Sequence, residues 1–177
     1  FLIIFLLFSF TSVHAQNVSY QNAVVSSANE LASEVGIKIL KSGGNAIDAA
    51  VGTAFALAVV YPQAGNLGGG GFIVLRTENG FETSIDFRET APLLSSKNMY
   101  LDNYGNVIED LSTIGHLASG VPGSVAGLLF ALEKYGSKPK EEILSYAIEL
   151  AENGFYINQE LANSINNHRN EFNSFEK

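Results

Sequence analysis

Four consecutive glycines at positions 68–71 constrain this chain more than any other feature. They strip every side chain from a short length of backbone. Such a run permits positive φ and lets another backbone or a ligand approach closely. Residues 72–77, FIVLRT, read as a buried strand leaving the run. Asn79-Gly80 is a strong hairpin signal, because both residues tolerate positive φ. Residues 81–87 alternate as the return strand. Arg88 and Glu89 stand where that strand ends, and Pro92 stops further pairing. The glycine run and the arginine therefore meet at one end of a hairpin, where a site could sit.

The preceding residues read as two helices. Ser27 and Glu30 have capping-box spacing, which predicts a helix start near Ala28. Leu31, Val35 and Ile39 recur every four residues as its buried stripe, and Gly43-Gly44 closes it. Asn45 is expected to cap the next helix, with Asp48 serving its first turn. Residues 46–60 are apolar on almost every side, which predicts a buried central helix too short to be a membrane span. Pro62 ends it.

Beyond the hairpin, residues 93–111 read as a long polar surface connection with a turn at Tyr104-Gly105-Asn106. Val121-Pro122-Gly123 breaks the chain. Ser124 is expected to cap a helix running through Tyr135, with Gly136 as its stop. Pro139 suits the first turn of the next helix, residues 141–152 continue it, and Asn153-Gly154 ends it. Asn158 is expected to cap a last helix over 159–169. Helices around a single hairpin give an α+β or layered α/β class. A two-stranded hairpin is marginal alone, so further sheet is expected from outside these residues.

The 177 residues are 46 % hydrophobic and 16 % charged, a globular composition with room for one core. A net charge of −8 and the lack of a basic face argue against nucleic-acid binding. There is no cysteine, which excludes disulfides, thiolate nucleophiles and Cys-ligated zinc. Residues 1–10, FLIIFLLFSF, form an apolar run short for a bilayer span, and Val13 and Ala15 suit the small-residue positions before a signal-peptidase cut. Residues 1–15 are accordingly read as part of a signal peptide, with 16–177 as the mature portion. Export to the periplasm or extracellular space is expected. In a eukaryotic host Asn17-Val18-Ser19 would be a glycan acceptor.

Individual candidates for chemistry are few. The glycines follow a helix and open a strand with no lysine after them, the wrong context for a phosphate loop, and no cofactor is expected. Ser26, Ser27 and Ser124 lack a G-x-S-x-G elbow, and His14, His116 and His168 lie far apart. No metal-ligand spacing occurs. Arg88 admits two readings: a surface ion pair with Glu89 or Asp86, or a rigid fork for a substrate carboxylate.

Motifs in order add to this. The run Ser42-Gly43-Gly44-Asn45-Ala46-Ile47-Asp48-Ala49-Ala50 resembles the GGNAxDAA signature of gamma-glutamyltransferases, also called glutathione hydrolases. Asn66-Leu67 with the four glycines and Phe72 resembles that family's glycine-rich segment. Asp86-Phe87-Arg88-Glu89-Thr90-Ala91-Pro92 is similar to its D-x-R-E-x-A-P motif. Val121-Pro122-Gly123 with Gly127 fits V-P-G-x-x-x-G, and Ala151-Glu152-Asn153-Gly154-Phe155 fits A-x-x-G-F. The matches cover residues 24–161.

The resemblance implies an N-terminal nucleophile hydrolase fold, a four-layer αββα sandwich that is incomplete in these residues. It implies a precursor that cuts itself into large and small subunits, with this chain in the large one. The nucleophile is then the N-terminal threonine of the small subunit, its own amine acting as base. No Thr-Thr-His processing site occurs here, so no catalytic residue is assigned within the chain. Arg88 matches the arginine that holds the substrate's α-carboxylate, and Glu89 is expected to support it. The implied donor is glutathione or another γ-glutamyl compound, the acceptor water, an amino acid or a peptide. Two alternatives share these residues: a non-catalytic γ-glutamyl binding module, and a related acylase acting on poly-γ-glutamate or a β-lactam side chain.

Overall fold

The computed structural model describes residues 20–174. The proposed signal segment 1–15, His14 and the Asn17 sequon lie outside the described residues. The elements are α1 (Glu30–Lys41), α2 (Ala46–Val60), β1 (Phe72–Arg76), β2 (Glu82–Asp86), a 3-10 turn (His116–Ala118), α3 (Ser124–Tyr135), α4 (Lys140–Asn153), α5 (Gln159–Asn167) and α6 (Arg169–Ser174).

Helix α2 is the centre, packed against α1, α3 and α4. Its sequence has almost no polar face, so it can only be accommodated with neighbours around it. Val51, Phe55, Ala56 and Val60 are buried, as are Val35 and Ile39 of α1, Leu128 and Leu132 of α3, and Ile143 of α4. Each large apolar side chain buried this way contributes about 1.5–3 kcal/mol. Gly52 lets α1 come close, because the Ile39 side chain occupies the space beside it. Leu31 of the expected stripe is only partly buried.

Helix starts differ from the expectation at two places. Asn29, not Ser27, caps α1, accepting from Leu31 N–H at 2.9 Å. The Ser27 hydroxyl instead bonds the Asn29 carbonyl and Ser33 Oγ, both at 2.8 Å, so the helix begins two residues later than the Ser27–Glu30 spacing suggests. Ser124 is the first residue of α3 and Gly123 precedes it without any side-chain cap. At the C-terminal end, Asn158 caps α5 as expected, but the helix stops at Asn167, and α6 follows after His168.

Strands β1 and β2 pair antiparallel, Phe72 opposite Asp86 and Arg76 opposite Glu82. The turn is a three-residue loop, Glu78-Asn79-Gly80. Thr77 O accepts from Gly80 N–H, and Thr77 N–H donates to Phe81 O, both at 2.9 Å. Only Gly80 takes positive φ, at 85°, so Asn79 does not share the left-handed geometry of a two-residue turn. The hairpin has two unlike faces. Ile73, Ile85 and Phe87 pack toward the helices, and Leu75 is buried. Phe72 and Val74 point the other way and are 59 % and 85 % exposed. Strand 72–76 is therefore not buried on both sides, although its composition suggested so. The two strands are the only regular sheet among the described residues.

No helix among the described residues is long and apolar enough to cross a membrane.

Candidate active site around Arg88

Three separated segments meet at the open end of the hairpin. Beyond Phe72 the ladder continues into the glycines: Phe87 N–H donates to Gly71 O at 3.0 Å. One step further, Gly70 lies against the Arg88 backbone. A Cβ on Gly70 would stand 2.7 Å from Arg88 Cα and 2.8 Å from Glu89 N. None of the glycines at 68–71 has positive φ. Close approach, not a left-handed turn, is what they provide.

The third segment is the start of α3. Gly69 O accepts from both Gly123 N–H at 2.9 Å and Ser124 N–H at 3.0 Å. Thr90 and Val121 exchange backbone hydrogen bonds of 3.2 and 2.8 Å. The Phe87 ring fills the space beside Gly127. The glycine run, the Asp86–Pro92 segment and Val121-Pro122-Gly123 thus form one backbone-bonded unit, although they are spread over more than fifty residues.

Arg88 projects from this unit with its side chain exposed. Its own N–H donates to Asp86 Oδ1 at 3.0 Å, which fixes the backbone at the strand end. The ion pairs among the described residues are Arg76–Glu82, Lys138–Glu142 and Lys140–Glu141. Arg88 thus pairs with neither Asp86 nor Glu89, and the surface ion-pair reading is not met. Its guanidinium carbon instead lies 5.7 Å from the centre of the Phe72 ring. The Glu89 carboxylate is turned toward Gly69, where Ser124 Oγ also approaches. Ser124 is 7 % exposed. A planar cation with no anionic partner among the described residues can take a carboxylate in its plane.

The remaining candidates are not brought together. His116 sits in the 3-10 turn, and His168 Nδ1 lies 2.9 Å from Ser164 O. Among the described residues no serine hydroxyl bonds a histidine ring, and no three His, Asp or Glu side chains gather where they could hold a metal ion.

Asp48 does more than serve the first turn of α2. It is fully buried. It completes a capping box with Asn45, accepting Asn45 N–H at 2.7 Å. It also accepts from Ser137 N–H at 2.9 Å, Ser137 Oγ–H at 2.6 Å and Lys138 N–H at 3.2 Å. Burial pushes the carboxyl pKa up, but these four donors together outweigh it and hold the group below its ordinary value. Asn45 Nδ2–H meanwhile donates to Tyr135 O at 2.8 Å. Helix α2, which carries the core beneath the hairpin, is thereby tied to the α3–α4 connection. The motifs name Phe72 and Ser124 but not the place of Phe72 beside Arg88, that of Ser124 beside Gly69, or the long-range role of Asp48.

A family model described as Gamma-glutamyltranspeptidase matches residues 32–177. The glutathione hydrolase proenzyme of Pseudomonas sp. (strain A14) is 54 % identical over 151 residues, covering 84 % of this chain and 26 % of that protein. The glutathione hydrolase proenzyme of Escherichia coli (strain K12) is 48 % identical over 154 residues, covering 87 % of this chain and 27 % of that protein. Among solved structures, Helicobacter pylori gamma-glutamyltranspeptidase superimposes with a TM-score of 0.86 at 50 % identity, over 90 % of this chain and 46 % of that chain. The chain thus spans about a quarter of the length of these curated relatives. The described residues take up the α+β arrangement of the corresponding part of that N-terminal nucleophile hydrolase fold. With the glycine run, the Arg88 segment and the start of α3 all inside the matched region, the chain belongs to the gamma-glutamyltranspeptidase family.

Proposed function

We propose that this chain is the N-terminal portion of the large subunit of an exported enzyme that cleaves the γ-glutamyl amide of glutathione or a related compound. The glutamyl group passes to water or to an amino-acid or peptide acceptor. The observation that carries the reading is Arg88: an exposed guanidinium without a carboxylate partner among the described residues, on a segment bonded into the glycine run and the start of α3. A γ-glutamyl donor differs from a simple amide by its free α-carboxylate, which this fork suits. Glu89 supports the arginine from the Gly69 side, without an ion pair that would occupy the fork. The nucleophile, an N-terminal threonine, comes from a small subunit of the same precursor. That subunit packs over the outward face of the hairpin, where Phe72 and Val74 are exposed. Export rests on the apolar residues 1–10 and on Val13 and Ala15, with cleavage after Ala15.

The test is donor selectivity of the mature full-length enzyme. A γ-glutamyl anilide should turn over at least tenfold faster, as kcat/KM, than the 4-aminobutyryl anilide, which lacks only the α-carboxylate. Equal rates would overturn the reading.

A further inference from the structure

The Arg88 guanidinium lies beside an aromatic ring and not, among the described residues, beside a carboxylate. Ladder register puts Phe72 opposite Asp86, and Arg88 follows Asp86 by two residues on the same outward side. Phe72 and Arg88 are thus diagonal neighbours across the hairpin, a spacing long side chains bridge. Gly70 crowds the Arg88 backbone, since a Cβ there would meet Arg88 Cα, Phe87 O and Glu89 N. The ring of Phe72 lies 5.7 Å from the guanidinium carbon, within cation–π range. Phe72 lies outside the helix-packed core of the described residues, 59 % exposed, while Ile73 and Leu75 beside it serve the inner face.

We infer that Phe72 is a positioning residue for substrate binding: its ring holds the Arg88 guanidinium so that the in-plane N–H edge stays open to the α-carboxylate. This rests on the proposed role of Arg88. An aromatic ring and a carboxylate do not compete for a guanidinium, because the ring takes its face and the carboxylate its edge. A charged partner such as Glu89 in contact would take the edge itself. Holding the side chain beforehand also spares the rotamer freedom that would otherwise be lost when substrate binds.

The experiment uses the mature full-length enzyme with Phe72→Ala, Phe72→Leu and Phe72→Tyr, each alone, and Phe72→Ala combined with Arg88→Ala. Phe72→Leu keeps apolar bulk without the ring, which guards against a mere folding defect. A gel showing both subunits confirms maturation of each variant. Phe72→Ala and Phe72→Leu should raise KM for a γ-glutamyl anilide about two- to thirtyfold with little change in kcat. Phe72→Tyr should stay near wild type. In the Arg88→Ala background the Phe72→Ala effect should vanish, since the residues act as one unit. Wild-type KM in Phe72→Leu, or an undiminished Phe72→Ala effect without Arg88, overturns the inference alone. Wild-type kcat/KM in Arg88→Ala overturns the role of Arg88 and this inference with it.

Discussion

The buried carboxylate of Asp48 accepts a 2.6 Å hydrogen bond from the hydroxyl of Ser137, 89 residues further along the chain. Asp48 Oδ1 takes the backbone N–H groups of Ser137 and Lys138, and Oδ2 takes that of Asn45. Replacing Asp48 with alanine leaves four donors without an acceptor where little water can reach. Asp48→Ala should destabilise the assembled protein by about 3 kcal/mol or more. Urea denaturation of the mature enzyme measures it, as a fall in midpoint. An unchanged midpoint would mean that the donors find other partners.

The same carboxylate should shape the acid limb of stability. Its folded pKa lies below the ordinary value, because the donors from Ser137, Asn45 and Lys138 outweigh burial. Between the folded and unfolded values the unfolded chain binds more protons. The stabilisation is therefore fully present above the unfolded carboxylate pKa of about 3.9 and is lost as pH falls through the folded one. Asp48→Asn should lower stability at pH 7 and flatten its decline below about pH 4. Melting temperatures of both proteins across pH 3–7 give the comparison, and parallel curves would exclude Asp48 as a contributor.

Gly70 is constrained by space rather than by φ. A Cβ there would meet backbone atoms of Phe87, Arg88 and Glu89, which cannot rotate away. Gly70→Ala should cost about 1–3 kcal/mol through forced backbone shifts and should lower kcat/KM by displacing Arg88. Gly43 is the control. It has φ 88° and nothing near its missing Cβ, so Gly43→Ala should cost stability through strain and leave kcat/KM unchanged. Equal effects of the two on kcat/KM would contradict the close-approach account.

What could be read from the chain follows how local each interaction is. The Asn45–Asp48 box spans three residues and was legible. Ser137, the other half of the Asp48 cluster, lies too far along the chain for any spacing rule. Helix α2 was legible to its ends, because an all-round apolar segment between an asparagine cap and a proline has few other solutions. The α1 start was misread because Ser27 and Asn29 both carry capping side chains and only packing decides between them. In the hairpin, Asn79-Gly80 correctly marked a turn, but loop length depends on which residues pair, and Thr77 pairs with Phe81. An unbroken FIVLR run conceals that Phe72 and Val74 face away from the helices, since alternation is visible only when polar residues mark it. Arg88 was singled out by its place at a strand end, whereas the ring beside it required the register.

Arg88 gives the most direct test of the site. Its backbone is held by Asp86 and by the glycine run, so truncating the side chain should leave the surrounding fold in place. Losing one member of a hydrogen-bonded charge pair costs on the order of 2–5 kcal/mol. At about 1.4 kcal/mol per tenfold, Arg88→Ala should lower kcat/KM on a γ-glutamyl donor by one to three orders of magnitude. Arg88→Lys should recover only part of that, because an ammonium cannot reproduce the fork. Maturation into two subunits should survive both substitutions, since the arginine serves the substrate and not the scissile peptide. The measurement is kcat/KM for each variant, beside a gel of the processed subunits. A processed Arg88→Ala enzyme with wild-type kcat/KM would mean that the α-carboxylate is held elsewhere, and the exposed guanidinium would then be an ordinary surface cation resting on an aromatic ring.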